Sequence, residues 1–113
     1  MTYTIREQNA IQVVEVKDLL DETFNRQILN QVQQKIQSGF NKFIVDLSCL
    51  DFMNSVGLNF LISVLTKSKE SGGDLAVVNP NDQVIKLLEI TKLRKLFQLS
   101  PSVEEALQGF SKN

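Results

Sequence analysis

A chain of 113 residues, 42% hydrophobic and 22% charged, has the composition of one ordinary globular domain with enough apolar material for a core. Twelve Lys and Arg stand against thirteen Asp and Glu, a net charge of -1, which excludes a bulk nucleic-acid binder, since that needs a large cationic excess to displace counterions. Histidine is absent and cysteine occurs once, which removes His-based triads, His-ligated zinc, imidazole proton shuttles, intramolecular disulfides and CxxC sites.

The N-terminus, Met1-Thr2-Tyr3-Thr4-Ile5-Arg6, lacks the apolar run of a signal peptide. No stretch reaches the roughly 18 apolar residues that span a bilayer. With its lone thiol, the chain reads as cytoplasmic and without a membrane partner. Tyr3 to Glu7 and Ala10 to Val16 are rich in β-branched residues and predict an opening β-hairpin, with polar residues at the turn. Phe24, Ile28, Val32 and Ile36, spaced by four with Leu29 beside them, make the apolar stripe of a helix from about Asp21 to Ser38. Asp18 or Asp21 caps its start, and Gly39 stands where a C-terminal cap is expected.

Lys42 to Leu47 is a nearly continuous apolar run, the pattern of a strand buried on both faces. A second helix follows Asn54, with Leu58, Leu61, Ile62 and Leu65 at helical spacing and a polar tail that ends at Gly72-Gly73. Leu75 to Val78 is another buried strand, stopped by Asn79-Pro80-Asn81, and Val84, Leu87 and Leu88 mark a third helix. Leu96 to Leu99 predicts a short strand. Ser100-Pro101 then opens a last helix carrying Val103, Ala106, Leu107 and Phe110, with the proline at its first position. The order β-β-α-β-α-β-α-(β)-α predicts an α/β fold, an open mixed sheet with helices packed on it through right-handed crossovers.

Chemistry concentrates in Asp46-Leu47-Ser48-Cys49-Leu50-Asp51-Phe52-Met53-Asn54-Ser55-Val56-Gly57-Leu58. A buried strand runs into a loop that delivers Asn54-Ser55 to the first turn of a helix, where free amides and the positive end of the dipole meet. A phosphate on Ser55 is electrostatically welcome there. Gly57 leaves one side of the turn open to close approach, and Asp46, Asp51 and Asn54 are placed to orient the hydroxyl or bind a partner's cations. The same residue types are also what a plain helix cap uses in any protein, so local physics alone leaves both readings standing.

Val45-Asp46-Leu47-Ser48 followed by Phe52-Met53-Asn54-Ser55-Val56-Gly57-Leu58 resembles the signature of STAS domains, the anti-sigma factor antagonists of bacteria. The resemblance covers nearly the whole chain, including Asp21 before the first helix and Leu75 to Asn79, and implies one STAS domain over residues 1–113. It implies a protein-interaction switch with no catalytic activity and no cofactor. The implied partners are an anti-sigma factor serine kinase, which phosphorylates Ser55, and a PP2C-type phosphatase that restores binding. Asp21, Asp46, Asn54, Ser55, Val56 and Gly57 are the implied partner-binding residues. The sequence departs from the family pattern at Asn54, where an Asp is usual, at Val56, where a Ser or Thr is usual, and near Asp18 or Leu19, where a Gly is usual. A constitutive STAS subunit of a transport or other regulatory complex is the alternative output.

Other polar residues carry plainer expectations. Ser48 bonds nearby backbone, Cys49 is a small buried hydrophobe, and Lys92, Arg94 and Lys95 complement the negative end of the third helix. A phospho-aspartate receiver is excluded, because no acidic pair follows the first strands and no lysine ends Asp74 to Val78. Gly72-Gly73 precedes a strand and is a turn, not a phosphate loop.

Overall fold

The computed structural model describes residues 3–18, 21–50 and 53–111. Strands β1 (Tyr3–Gln8) and β2 (Ile11–Val16) form the antiparallel hairpin, and α1 (Glu22–Gln37), β3 (Lys42–Asp46), α2 (Ser55–Glu70), β4 (Asp74–Val78) and α3 (Asp82–Ile90) follow. A 3-10 turn (Arg94–Leu96), β5 (Gln98–Ser100) and α4 (Val103–Ser111) complete the chain. The sheet runs β1-β2-β3-β4-β5 in spatial order, antiparallel at β1/β2 and parallel elsewhere. The expected element order is therefore present.

Alternation along the strands divides the core into two layers. Val14, Val16, Phe43, Val45, Leu75 and Val77 face α1, α2 and α3, which contribute Ile28, Val32, Phe60, Leu61, Val64, Val84 and Leu88. Ile11, Val13, Ile44, Ala76 and Val78 face the other way and meet Ala106, Leu107 and Phe110 of α4. Strands β2 to β5 are added in one direction while three helices share one face, so the three crossovers have one hand, as βαβ units require. Parallel pairing also brings the N-termini of α1, α2 and α3 to a single edge, beyond the carboxyl ends of β2, β3 and β4. That edge is where open α/β sheets present ligands and partners.

Turn chemistry corrects several boundaries. Asn9 and Ala10 both have positive φ, 53° and 66°, the two-residue turn whose twist matches a hairpin, so Ala10 belongs to the turn and not to β2. Helices α1, α2 and α3 each end in the same double bond: Phe40 N–H to Lys35 O, Gly73 N–H to Ser68 O and Leu93 N–H to Leu88 O, at 3.0, 2.8 and 2.8 Å, over an inner bond one residue shorter at each end. The left-handed residue these motifs need is Gly39, Gly72 and, in α3, Lys92 at φ 63°. Lys92, Arg94 and Lys95 thus lie past the end of α3, and Arg94 pairs with Glu89 at 3.5 Å.

Leu96 is taken by the 3-10 turn, so β5 starts at Gln98, two residues later than expected. Pro101 stands two positions before Val103, the first residue of α4, because the Ser102 hydroxyl accepts from Glu105 N–H at 3.2 Å and is itself the cap. Cys49, expected buried, is exposed. Leu47 and Leu50 turn inward on either side of it, and that leaves the intervening residues facing water.

Candidate functional site

Ser55 is the first residue of α2 and is exposed. Asn54 immediately before it has extended backbone, and its Oδ1 accepts from Gly57 N–H at 2.8 Å. This satisfies one of the amides that a helix start leaves free. Gly57 is buried, and a Cβ there would stand 2.9 Å from Met53 Cγ and 3.4 Å from Asn54 Oδ1. The missing side chain lets both the cap and Met53 lie against the first turn, so Gly57 shapes the site from below.

The loop that delivers Asn54 is pinned at several points. Asp46 Oδ1 accepts from Ser48 N–H at 3.0 Å and from Asn79 Nδ2 at 3.1 Å. Leu47 N–H donates to Val78 O at 3.0 Å, and Leu50 O accepts from Asn81 Nδ2 at 3.1 Å. Asp46 is 6% exposed, on the strand face opposite Val45, so its carboxylate braces the loop from inside. Asp51 and Phe52 lie outside the described residues.

Asn79 and Asn81, which the sequence presents as a strand stop, also hold the loop and a helix start at this edge. Asn79 takes a left-handed turn at φ 57°, a conformation Asn tolerates, and aims its amide at Asp46. Asn81 caps α3, its Oδ1 accepting from Val84 N–H at 2.9 Å, while its amide holds Leu50. The Asn-Pro-Asn spacing carried that signal, since Asn is a cap and turn former at once.

Asp21 is the residue that caps α1, accepting from Phe24 N–H at 2.8 Å, which settles the choice between Asp18 and Asp21. The edge of the sheet therefore carries three Asx-capped helix starts: Asp21, Asn54 and Asn81. They differ in charge. The first turns of α1, α3 and α4 hold Glu22, Asp82 and the pair Glu104 and Glu105, whereas α2 has no acidic residue in its first turn.

Beneath Ser55 the void lined by Val16, Leu47, Leu50, Met53, Asn54, Gly57 and Phe60 measures about 10 Å³, room for about one water. Removing the cap by Asn54→Ala is expected to lower stability by about 1 kcal/mol. Asn54→Asp restores the oxygen with a charge matched to the helix dipole and is expected to equal or exceed the parent by a few tenths, about 0.3 kcal/mol. Urea unfolding of the two variants checks both signs.

The family model for the STAS domain matches residues 2–106. A Thermotoga neapolitana protein described as an anti-sigma factor antagonist is 30% identical over 73 residues, which is 65% of this chain and 65% of that relative. The chain thus matches just under two thirds of the curated relative's length. Among solved structures, an anti-sigma factor antagonist from Thermotoga maritima superposes with a TM-score of 0.85 at 21% identity, covering 95% of this chain and 92% of that one. The phosphorylated form of the Bacillus cell fate determinant SpoIIAA gives 0.76 at 19% identity, covering 96% and 98%. At such identities the structural likeness establishes the fold.

Proposed function

The chain belongs to the STAS domain family, and on that premise we propose that it is an anti-sigma factor antagonist working as a phosphorylation-controlled partner switch. With Ser55 unmodified, the edge formed by Asp21, Asn54, Ser55, Val56 and Gly57 docks an anti-sigma factor serine kinase, and Asp46 holds the loop in shape. The kinase phosphorylates Ser55 and is released, and a PP2C-type phosphatase returns the chain to its binding form. The switch operates in the cytoplasm; among the described residues no helix is long and apolar enough to cross a membrane.

The observation that carries this reading is the exposed Ser55 hydroxyl at a helix start with no acidic residue in its first turn. A kinase reaches it without unfolding anything. Once attached, the phosphate adds about -1.5 to -2 charges at neutral pH, next to free amides that accept an anion. The fold tolerates the modification while the surface gains negative charge.

Affinity capture from the native host with wild type, Ser55→Ala and Ser55→Asp as parallel baits tests the proposal, with phosphosite mass spectrometry on the wild type. A kinase held by Ser55→Ala, lost by Ser55→Asp, and phosphate on Ser55 are the expected results. The same partners on all baits with no phosphate would instead identify a constitutive subunit of a transport or other regulatory complex, and reduce Ser55 to a helix residue.

A further inference from the structure

The described residues expose two large hydrophobic side chains, Ile90 at 69% and Leu96 at 54%. Both fall in the stretch from the end of α3 through the 3-10 turn. The same stretch, from Lys86 to Leu96, holds Lys86, Lys92, Arg94 and Lys95, four of the chain's twelve Lys and Arg, in a molecule whose net charge is -1. Arg94 is paired with Glu89, whereas Lys86, Lys92 and Lys95 form no ion pair among the described residues. Lys92 occupies the left-handed position that glycine takes in α1 and α2. A cation is kept there against a backbone preference of about 1 kcal/mol.

Two open grooves lie along this stretch, and Ile90 lines the first of them. One, of about 270 Å³, is lined by Met53, Gln83, Lys86, Leu87 and Ile90. The other, of about 450 Å³, is lined by Glu89, Lys92, Arg94 and Lys95. We infer that this surface docks an acidic amphipathic helix of the partner, its apolar residues seated against Leu87, Ile90 and Leu96 and its carboxylates against Lys86, Lys92 and Lys95.

Charge and shape select this occupant. A second copy of the chain would bring the same cations together across a two-fold axis, and like charges at an interface oppose association. Nucleic acid is disfavoured because the protruding side chains are aliphatic, not the aromatic platforms on which bases stack. A bilayer needs a broad apolar helix face, but Val84 and Leu88 of α3 are already buried in the core.

The inference rests on the proposed switch and explains its direction. Met53 lines the α3 groove and is two residues from Ser55, so a phosphate on Ser55 adjoins the approach of an acidic helix and repels it.

The test titrates the full chain, isotope-labelled for amide NMR, with a synthetic helical peptide bearing leucines at i, i+3, i+4 and i+7 and glutamates between them. The same peptide with lysine for glutamate and vesicles of mixed neutral and anionic phospholipid serve as the other probes. The acidic peptide is expected to shift amides between Lys86 and Leu96. Its dissociation constant should rise at least tenfold in Lys92→Glu/Lys95→Glu and in the milder Lys92→Gly/Lys95→Ser, the latter keeping the backbone requirement at residue 92. Equal binding of the lysine peptide, shifts confined to another face, binding to vesicles instead, or concentration-dependent self-association at this face would each overturn the inference. No kinase takes part, so a negative result leaves the Ser55 capture experiment to decide the switch on its own terms.

Discussion

Gly73→Ala is expected to lower stability by about 3 kcal/mol, visible in thermal unfolding as a fall of roughly 10 °C or more in Tm. Gly73 links α2 to β4 where two loops run against each other. Asn41 O accepts from Asp74 N–H at 3.1 Å, and Asn41 Nδ2 donates to Ser71 O at 3.2 Å. A Cβ on Gly73 would stand 1.7 Å from Asn41 O and 2.5 Å from its carbonyl carbon. Backbone cannot swing aside as a flexible side chain does, so either the α1–β3 loop or the start of β4 must move. Lys42 and Asp74 are register partners at that point, so the displacement reaches the β3/β4 ladder. The matched control is Gly109→Ala, in α4, where a Cβ meets nothing within 4 Å. There the better helix propensity of alanine should raise stability by about 0.5–1 kcal/mol. If Gly73→Ala proves as harmless as Gly109→Ala, the close approach of the two loops is wrong.

The same comparison of local and non-local forces explains what could be read from the chain. Helices α1 and α3 were legible because Ile28, Val32, Val84 and Leu88 recur at helical spacing and are fully buried. Strands β3 and β4 were legible because a sheet covered on both faces needs apolar residues at every position. The caps Asp21 and Asn54 were legible as residue types, for a side-chain oxygen at a helix start has one local job. What local pattern does not encode is the direction a polar side chain faces once strands pair. Asp46 follows an apolar run and looks like an edge residue, yet pleating turns it away from Val45, and parallel pairing brings Asn79 of the next crossover to within 3.1 Å of it. Cys49 is the reverse case, an apolar residue type exposed because Leu47 and Leu50 take the inward positions. Pro101 failed as a helix start because Ser102, one residue later, offers a hydroxyl that proline lacks.

Ser55→Asp is expected to move fold stability and partner affinity in opposite directions. A negative charge in the first turn of α2, which holds no acidic residue, interacts favourably with the helix dipole and should raise stability by about 0.3–1 kcal/mol at low salt. The gain should shrink as salt screens it. Partner affinity should fall about a hundredfold or more, equivalent to about 2.7 kcal/mol, because a charge desolvated at an interface beside partner carboxylates is opposed by both solvation and repulsion. A phosphoserine carries more charge than an aspartate and should exceed the mimic in both respects. Urea unfolding gives the first quantity, and isothermal titration calorimetry with the captured partner gives the second. A variant less stable than the parent would mean that the hydroxyl supports the helix start, so that lost binding reflects a damaged surface. A variant that is more stable but still binds would remove repulsion as the basis of release. Only gain in one quantity with loss in the other fits a switch whose signal is charge and whose scaffold stays intact.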